Sequence, residues 1–408
     1  MTPQGDTPAA ARFAWAVVLA LALAQLVAWG TLFYAFAILI EPMGAEFGWS
    51  KTEMSGALSL GLGITGCASY VVGRWIDRHG GRFLMTLGSL LGAILLILWS
   101  QITELWQLYA IWAGIGAVSA MVLYDPVFAV VARAFPADYR RAITTITLLG
   151  GLASTVFIPL SQNLVELLGW RHALLALAAI ELPLCAGIPW VLLRGRERAT
   201  AAATLSTENP SAGVVGRALR QPTFWLLVVS YVSYALFYTA LLFNLIAMLH
   251  ERGFTTGQAV AVYAFIGPAQ VVGRIAMLVM ERILTVTVAG LAGTMLPVFA
   301  MVVLGVSDPG SLSVFAFAIA FGAGMGIKTI VQATAAPEFL GREGYGALQG
   351  AILMPVYAAQ AISPFAAAMI WQIGGGYHLV EQVLLSSALV SAVAFALAAI
   401  LAPKLRRA

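Results

Sequence analysis

Charged side chains are scarce in this chain. Only 10% of its 408 residues are Asp, Glu, Lys or Arg, whereas 61% are hydrophobic. An ordinary soluble domain carries about 25% charged residues, so a soluble enzyme of this composition would lack a polar surface. The scarcity excludes disordered and coiled-coil chains as well, and it predicts a protein that sits in a lipid bilayer.

Cysteine and histidine are also rare, with two and four residues. Cys67 and Cys185 both lie in apolar runs, which excludes a disulfide framework or a zinc ribbon. No Gly-x-Ser-x-Gly, His-Glu-x-x-His or phosphate-binding loop with a lysine is present. We therefore expect no catalytic residues, no metal and no cofactor. An intramembrane enzyme is the alternative outside transport.

Long apolar runs dominate the sequence, and twelve of them have the length of a membrane-spanning helix. They fall near 13–42, 52–73, 83–101, 105–132, 142–168, 171–193, 222–249, 257–280, 283–306, 311–337, 345–373 and 378–402. The predicted organisation is a cytoplasmic N-terminus (1–12), an N-terminal six-helix bundle (13–193), a central cytoplasmic loop (194–221), a C-terminal six-helix bundle (222–402) and a cytoplasmic tail (403–408). The fold class is all-α, with two pseudo-symmetric six-helix bundles.

The basic residues predict the orientation. With both termini in the cytoplasm, 18 of the 22 Lys and Arg fall on the cytoplasmic side, counting Arg133 and Arg274 at helix ends. Three lie on the other side, and Lys328 lies within a span. This imbalance follows the positive-inside rule and predicts a multi-pass protein of the cytoplasmic (inner) membrane. The Lys and Arg are scattered singly, so we expect no nucleic-acid partner.

The two halves repeat each other at three places. Val71-Val72-Gly73-Arg74 recurs as Val271-Val272-Gly273-Arg274. Ser50-x-x-Glu53 and Thr255-x-x-Gln258 have the form of capping boxes before spans two and eight, and each follows an aromatic residue. Repeats in parallel positions indicate a duplicated six-helix unit, a pattern found in secondary transporters.

The segment from Gly73 to Arg82 (GRWIDRHGGR) resembles the signature loop between spans two and three of the major facilitator superfamily. Three shorter motifs resemble its monocarboxylate and oxalate porter branch. They are Tyr34-Ala35-Phe36, Phe47-Gly48-Trp49-Ser50 and Gly169-Trp170-Arg171. The resemblance implies two bundles around a central cavity and transport by alternating access.

The sequence also departs from parts of that family. The arginine and the Gly-Pro-x-x-Gly-Gly motif typical of drug/proton antiporters in spans four and five are absent. Vertebrate-type monocarboxylate porters carry an aspartate where this chain has Gln270, and a span-one lysine where Ala37 and Ile38 follow Phe36. Their proton chemistry is therefore not transferred to this chain.

Two charges lie deep in spans and need a reason, because a charge at the bilayer centre costs at least about 2.5–3.5 kcal/mol. Asp125 precedes Pro126, which has no backbone N–H and so frees the Val122 carbonyl. Lys328 lies 203 residues later, at the matching place in the second half. We predict that Asp125 couples a proton and that Lys328 binds substrate. A permanent structural pair between the two is the alternative.

Arg274 has two interpretations. Its place in the repeat matches Arg74, a loop residue facing the cytoplasm. A register shifted to match Glu281-Arg282 with Asp77-Arg78 places it inside the span, where its guanidinium would bind a carboxylate in bidentate fashion. The resemblance implies the second role. Glu181 in span six is predicted to be a helix-packing or lipid-edge residue.

Further polar residues complete the predicted machinery. Tyr234 and Tyr238 share one face of span seven and are predicted to line a cavity. The remaining substrate-binding candidates are Tyr34, Tyr357 and Gln360. The charges predicted to act in gating are Asp77, Arg78, Arg133, Glu281 and Glu338.

These residues predict a secondary transporter, working as a monomer, for a small organic anion such as a monocarboxylate. The anion would move with a proton or in exchange for another anion. The alternatives are an exporter of a toxic compound (a drug or metalloid) and a transporter of a vitamin-like aromatic such as riboflavin.

Overall fold

The computed structural model describes residues 8–135, 138–194, 213–280 and 283–402, and side chains from residue 15 onward. The described chain is helical throughout. Its first half contains α1 (Pro8–Trp29), α2 (Ala35–Phe47), α3 (Lys51–His79), α4 (Arg82–Trp99), α5 (Leu105–Val122), α6 (Tyr124–Ala134), α7 (Tyr139–Gly150), α8 (Ala153–Glu181) and α9 (Gly187–Leu192). Its second half contains α10 (Val214–Ala218), α11 (Pro222–Glu251), α12 (Thr256–Val279), α13 (Val286–Gly305), α14 (Ser313–Leu340), α15 (Tyr345–Gly374) and α16 (Tyr377–Leu401).

Eleven helical stretches of the described chain are long and apolar enough to cross a bilayer. One of them, Tyr139–Leu192, has 54 residues, more than twice the roughly 20 that one crossing needs. Gly169 interrupts it with φ 76° and ψ 158°, a conformation that only glycine adopts readily. The stretch therefore contains two spans, and the total is the twelve that the apolar runs predict.

Four predicted spans are not single regular helices. Span five is interrupted by a turn at Gly151–Leu152, between α7 and α8. Five-residue π-helical turns lie between α1 and α2 (Gly30–Tyr34) and between α8 and α9 (Leu182–Ala186). Span four breaks at Leu123, whose backbone is extended between α5 and α6. The apolar pattern predicts each span as one helix because hydrophobicity does not register a local change in helical winding.

Close packing divides the chain into two compact units. The first contains the described residues of Met1–Ala57 and Arg78–Glu208, and the second those of Leu58–Asp77 and Asn209–Ala408. The second unit thus includes most of α3, which the sequence assigns to the N-terminal bundle. Most of the predicted central loop (195–212) and the tail (403–408) lie outside the described residues.

In the second unit, α3 approaches α15 at backbone distance. A Cβ atom on Gly73 would lie 2.0 Å from the Gly346 carbonyl oxygen, and one on Gly346 would lie 2.5 Å from the Gly73 oxygen. Gly350 meets Ser69 in the same way, at 2.5 Å. Because no side chain fits between them, these glycines explain why this part of α3 belongs to the second unit.

Each unit contains a salt bridge that joins residues far apart in sequence. In the first unit, Glu46 at the end of α2 pairs with Arg171 at 2.7 Å and accepts a hydrogen bond from Trp170 Nε1 at 2.6 Å. In the second, Arg252 after α11 pairs with Glu381 at 2.6 Å. The sequence motif Gly169-Trp170-Arg171 therefore has a packing role in this structure. In the first pair the acidic residue comes earlier in the sequence, and in the second pair the basic residue does.

Candidate functional site

Lys328 is the most completely buried charged side chain of the second unit. It lies in the middle of α14 and is 1% exposed. Its Nζ is 3.8 Å from the Tyr231 ring centroid and 5.4 Å from that of Tyr234, both on α11, and 5.6 Å from Phe395 on α16. Within the described chain, Nζ has no hydrogen-bond partner.

The aromatic rings offset part of the free-energy cost of burying the Lys328 ammonium group. Cation–π contacts are worth about 2 kcal/mol or more when desolvated, much less than the cost of burying an ammonium group. The hydroxyls of Tyr231 and Tyr234 are buried and unpartnered as well. The cluster therefore holds one positive charge and two hydroxyl donors without a described acceptor.

Arg274 lies inside α12, five residues before its end, and is 3% exposed. The interpretation as an exposed loop residue is thus wrong for this structure, because α14 covers this part of α12. The two helices approach this closely because α14 has a glycine at the contact. A Cβ atom on Gly326 would lie 2.2 Å from the Gln270 carbonyl oxygen. The Nε and Nη1 atoms of Arg274 have no hydrogen-bond partner among the described residues.

The two buried cations lie on different sides of α14. Gly326 faces α12 and the backbone of Arg274. Lys328 follows two residues later, about 200° around the helix, and faces α11 and α16. The structure thus brings Lys328 together with tyrosines, and it does not show a contact between Lys328 and Arg274. Their joint binding of one carboxylate stays a prediction.

The predicted polar lining is partly assembled. Tyr234 and Tyr238 stack with ring centroids 6.1 Å apart and planes 9° from parallel. Tyr357 and Gln360 are half-buried on α15, and Tyr357 packs beside Gly66 of α3. Tyr34 is half-buried in the first unit, at the end of the first π-helical turn.

Asp125 lies in the first turn of α6, directly after the break at Leu123. A carboxylate there interacts favourably with the helix dipole. The prediction that the Val122 carbonyl is free is wrong, because this carbonyl accepts a hydrogen bond from Gln25 Nε2 at 2.6 Å. Gln25 is a residue that the sequence analysis missed; its only signal is an amide in the middle of an apolar span. The predicted pair of Asp125 with Lys328 would join the two units and stays a prediction.

The residues predicted to act in gating have different environments. Asp77 accepts hydrogen bonds from the backbone N–H groups of Gly346 (2.9 Å) and Ala347 (2.8 Å) at the start of α15. Arg78 and Glu338 are exposed, and Arg133 is half-buried. Glu281 lies outside the described residues. The gating role stays a prediction for all five.

Both predicted capping boxes are present. Ser50 N donates to Glu53 Oε2 at 2.8 Å, and Glu53 N donates to Ser50 Oγ at 3.2 Å. Thr255 and Gln258 make the same pair of bonds, at 2.9 and 3.3 Å. Two helices at matching places in the halves thus begin in the same way.

Comparison with known proteins gives consistent results. The Major Facilitator Superfamily profile matches residues 21–364. Monocarboxylate transporter 13 of Rattus norvegicus is 30% identical over 183 residues, which are 42% of this chain and 40% of that protein. Monocarboxylate transporter 11 of Homo sapiens is 26% identical over 190 residues, 45% of this chain and 39% of that protein. The match thus covers less than half the length of these relatives.

Solved structures resemble this one over nearly the whole chain. A major facilitator transporter, FucP, crystallised in the outward conformation, has a TM-score of 0.69 at 14% identity, covering 96% of this chain and all of that one. A variant of the E. coli fucose:proton symporter FucP gives 0.71 at 13% identity, covering 94% of this chain and 98% of that one. At such identities the likeness concerns the fold.

Proposed function

This chain belongs to the Major Facilitator Superfamily, a family of membrane transporters rather than enzymes, and we propose that it moves a small organic anion by alternating access. A monocarboxylate is the preferred substrate. The local similarity to monocarboxylate transporters supports this choice over a drug, a metalloid or a riboflavin-like aromatic. The proposed location is the cytoplasmic membrane, with the protein working as a monomer.

One observation carries the proposal: Lys328 is buried in a membrane-spanning helix, and none of the described residues makes a hydrogen bond to its ammonium group. A buried cation is expensive unless an anion compensates it. A substrate carboxylate is such an anion, and the hydroxyls of Tyr231 and Tyr234 are available to donate to its oxygens. Arg274, two of whose nitrogen atoms have no hydrogen-bond partner in the described part of the chain, supplies a second positive charge to the same unit.

Coupling to a proton is assigned to Asp125. Its position after a helix break gives the carboxyl group a polar setting inside span four. Binding of a proton there would neutralise the only acidic side chain of α5 and α6 between Leu105 and Ala134. Anion exchange without a proton is the competing scheme.

Replacement of Lys328 by methionine tests the substrate. Because the ammonium has no described hydrogen-bond partner or counter-ion, an apolar side chain of similar length should leave thermal stability unchanged or raise it. Uptake of labelled monocarboxylates into proteoliposomes should fall to background. Lys51→Met, which removes an exposed lysine at the start of α3, is the control and should transport normally. Carboxylate transport by a well-folded Lys328→Met protein would overturn the proposal, as would flux of metalloids, drugs or flavins alone in the wild type.

Replacement of Asp125 by asparagine tests the coupling. We expect Asp125→Asn to keep counterflow exchange of the anion, which needs no net proton movement, and to lose uptake driven by a pH gradient. An unchanged dependence of uptake on pH would assign the proton to another residue.

A further inference from the structure

Glu181 is a second acidic side chain inside the membrane-spanning part, and neither the substrate site nor Asp125 accounts for it. It ends α8 at the start of the π-helical turn Leu182–Ala186 and is 0% exposed, so the predicted lipid-edge position is wrong. Its Oε2 lies 2.7 Å from Thr31 Oγ1. Thr31 belongs to the other π-helical turn, Gly30–Tyr34. One hydrogen bond thus joins the first π-helical turn to the end of α8, directly before the second π-helical turn.

No described cation compensates Glu181. From its own segment, the Cys185 thiol is within hydrogen-bond reach of the Glu181 carboxyl group and lies 3.3 Å from the Ala24 carbonyl oxygen. This thiol is titratable but carries no charge in its protonated form. From α4, Ser89 bonds to the Cys185 carbonyl at 2.9 Å. The second carboxyl oxygen of Glu181, Oε1, has no hydrogen-bond partner among the described residues. A carboxylate in this position would be a buried charge without a counter-ion.

Charged groups on two neighbouring helices are engaged elsewhere. On α4, Arg82 donates to the Trp190 carbonyl at 2.9 Å. On α2, Glu46 pairs with Arg171. Tyr34 lies in the same π-helical turn as Thr31, three residues further on.

Hydrogen-bond counting distinguishes the two protonation states. The Thr31 hydroxyl has one proton, yet two acceptors lie within reach, the Val27 carbonyl at 3.0 Å and Glu181 Oε2 at 2.7 Å. If Glu181 were ionised, the Thr31 hydroxyl could donate to only one of these two oxygens. If Glu181 is protonated, its O–H donates to Thr31 Oγ1, and Thr31 donates to Val27. Protonation therefore lets both contacts of the hydroxyl be hydrogen bonds, and it removes a buried charge that has no described counter-ion.

We propose that Glu181 is a proton-binding site of the first unit, distinct from Asp125, and that its proton holds the Gly30–Tyr34 turn against the end of α8. Release of the proton to water breaks the O–H bond and leaves a carboxylate that competes with the Val27 carbonyl for one hydroxyl proton. The Gly30–Tyr34 turn then loses its fixed contact. Close packing at this place, where a Cβ on Gly30 would lie 2.1 Å from the Phe157 ring, transmits the loss to α8. Single π-helical turns are frequent at functional sites.

Infrared spectroscopy of the full-length protein in lipid tests the protonation state without substrate. The wild type at neutral pH should show a carboxylic-acid carbonyl stretch that persists in Asp125→Asn and disappears in Glu181→Gln. Thr31→Val should shift the band, because its hydrogen bond is lost, whereas Thr31→Ser should preserve it. Identical spectra for the wild type and Glu181→Gln would show that Glu181 is ionised and would overturn the proposal.

Amide hydrogen exchange tests the structural consequence. Glutamine is neutral, and its NH₂ group can donate to Thr31, so Glu181→Gln mimics the protonated acid. The pH is raised across the range in which the infrared band disappears. Over this range, amide exchange in residues 27–35 of the wild type should speed up more than amide exchange in unrelated helices. Glu181→Gln should show no such extra increase. An equal response of both proteins would refute the proton's structural role. Neither measurement involves the transported anion, so failure here leaves the anion-transport proposal standing.

Discussion

Two arginines with the same local sequence have different environments in this protein. Arg74 and Arg274 each end a Val-Val-Gly-Arg tetrapeptide five residues before the end of their helix. Arg74 is exposed and lies 5.7 Å from the Tyr70 ring centroid, whereas Arg274 is almost completely buried. The neighbouring helix decides the difference, because α14 packs against α12 through glycines at this level.

We expect Arg274→Lys to weaken anion uptake about 10- to 150-fold in apparent affinity, because lysine cannot replace a bidentate guanidinium. The estimate corresponds to the loss of one charge-assisted hydrogen bond, about 1.5–3 kcal/mol. Arg74→Lys makes the identical change in the repeated tetrapeptide and should leave uptake within about twofold. Concentration-dependent uptake into proteoliposomes measures both. Equal effects of the two substitutions would contradict a binding role for Arg274.

At the scale of elements, the start of α15 depends on a side chain from α3. Gly344, in the left-handed conformation, precedes the helix and offers no side-chain cap. Asp77 supplies the missing acceptors to two of the first backbone N–H groups. A carboxylate at a helix N-terminus also interacts favourably with the helix dipole. The signature loop residue Asp77 therefore acts, in this structure, as an N-terminal cap for a helix about 270 positions later.

Asp77→Asn should speed amide hydrogen exchange at the start of α15. Asparagine retains one acceptor and removes the charge, so we expect a loss of about 0.3–1 kcal/mol from the dipole interaction and a corresponding two- to fivefold faster exchange near Gly346 and Ala347. Asp138→Asn is the matched control, because Asp138 precedes α7 without a side-chain capping bond. Unchanged exchange at the start of α15 would show that the Asp77 charge has no role in holding this helix end.

At the scale of the whole molecule, the distribution of basic residues predicts the orientation in the membrane. The 18-to-3 imbalance of Lys and Arg predicts that both termini lie in the cytoplasm. Under this topology, the turn containing Asp138 faces the cytoplasm and the turn containing Asp308 faces outward. Both residues are exposed, which makes them suitable for labelling.

Single cysteines test this topology in a Cys67→Ser background, where Cys185 stays buried. We expect a membrane-impermeant maleimide to label Asp308→Cys in intact cells. Asp138→Cys should react only after the membrane is permeabilised. The opposite pattern would reverse the orientation and the cytoplasmic position of both termini.

The sequence predicts the elements better than the site. Twelve spans, the two capping boxes and the glycine break near Gly169 follow from apolar runs, caps and glycine, which act over a few residues. The deep position of Lys328 follows too, because it stands alone in an apolar run. Gln25 and Thr31 were missed because their partners, Val122 and Glu181, are 97 and 150 residues away. No local pattern specifies such distant pairs.

By itself, the sequence determined the class of protein, since 61% hydrophobic residues and twelve apolar runs allow only a membrane protein. It also determined the family, through the residues of the loop from Gly73 to Arg82. Only the tertiary structure decided that Arg274 and Glu181 are buried and what surrounds each buried charge. Arg274 is covered, Lys328 is enclosed by tyrosines, and Glu181 bonds to Thr31. The reason is physical: hydrophobicity selects the helices that enter the bilayer, whereas contacts between helices far apart in sequence determine the environment of each polar group.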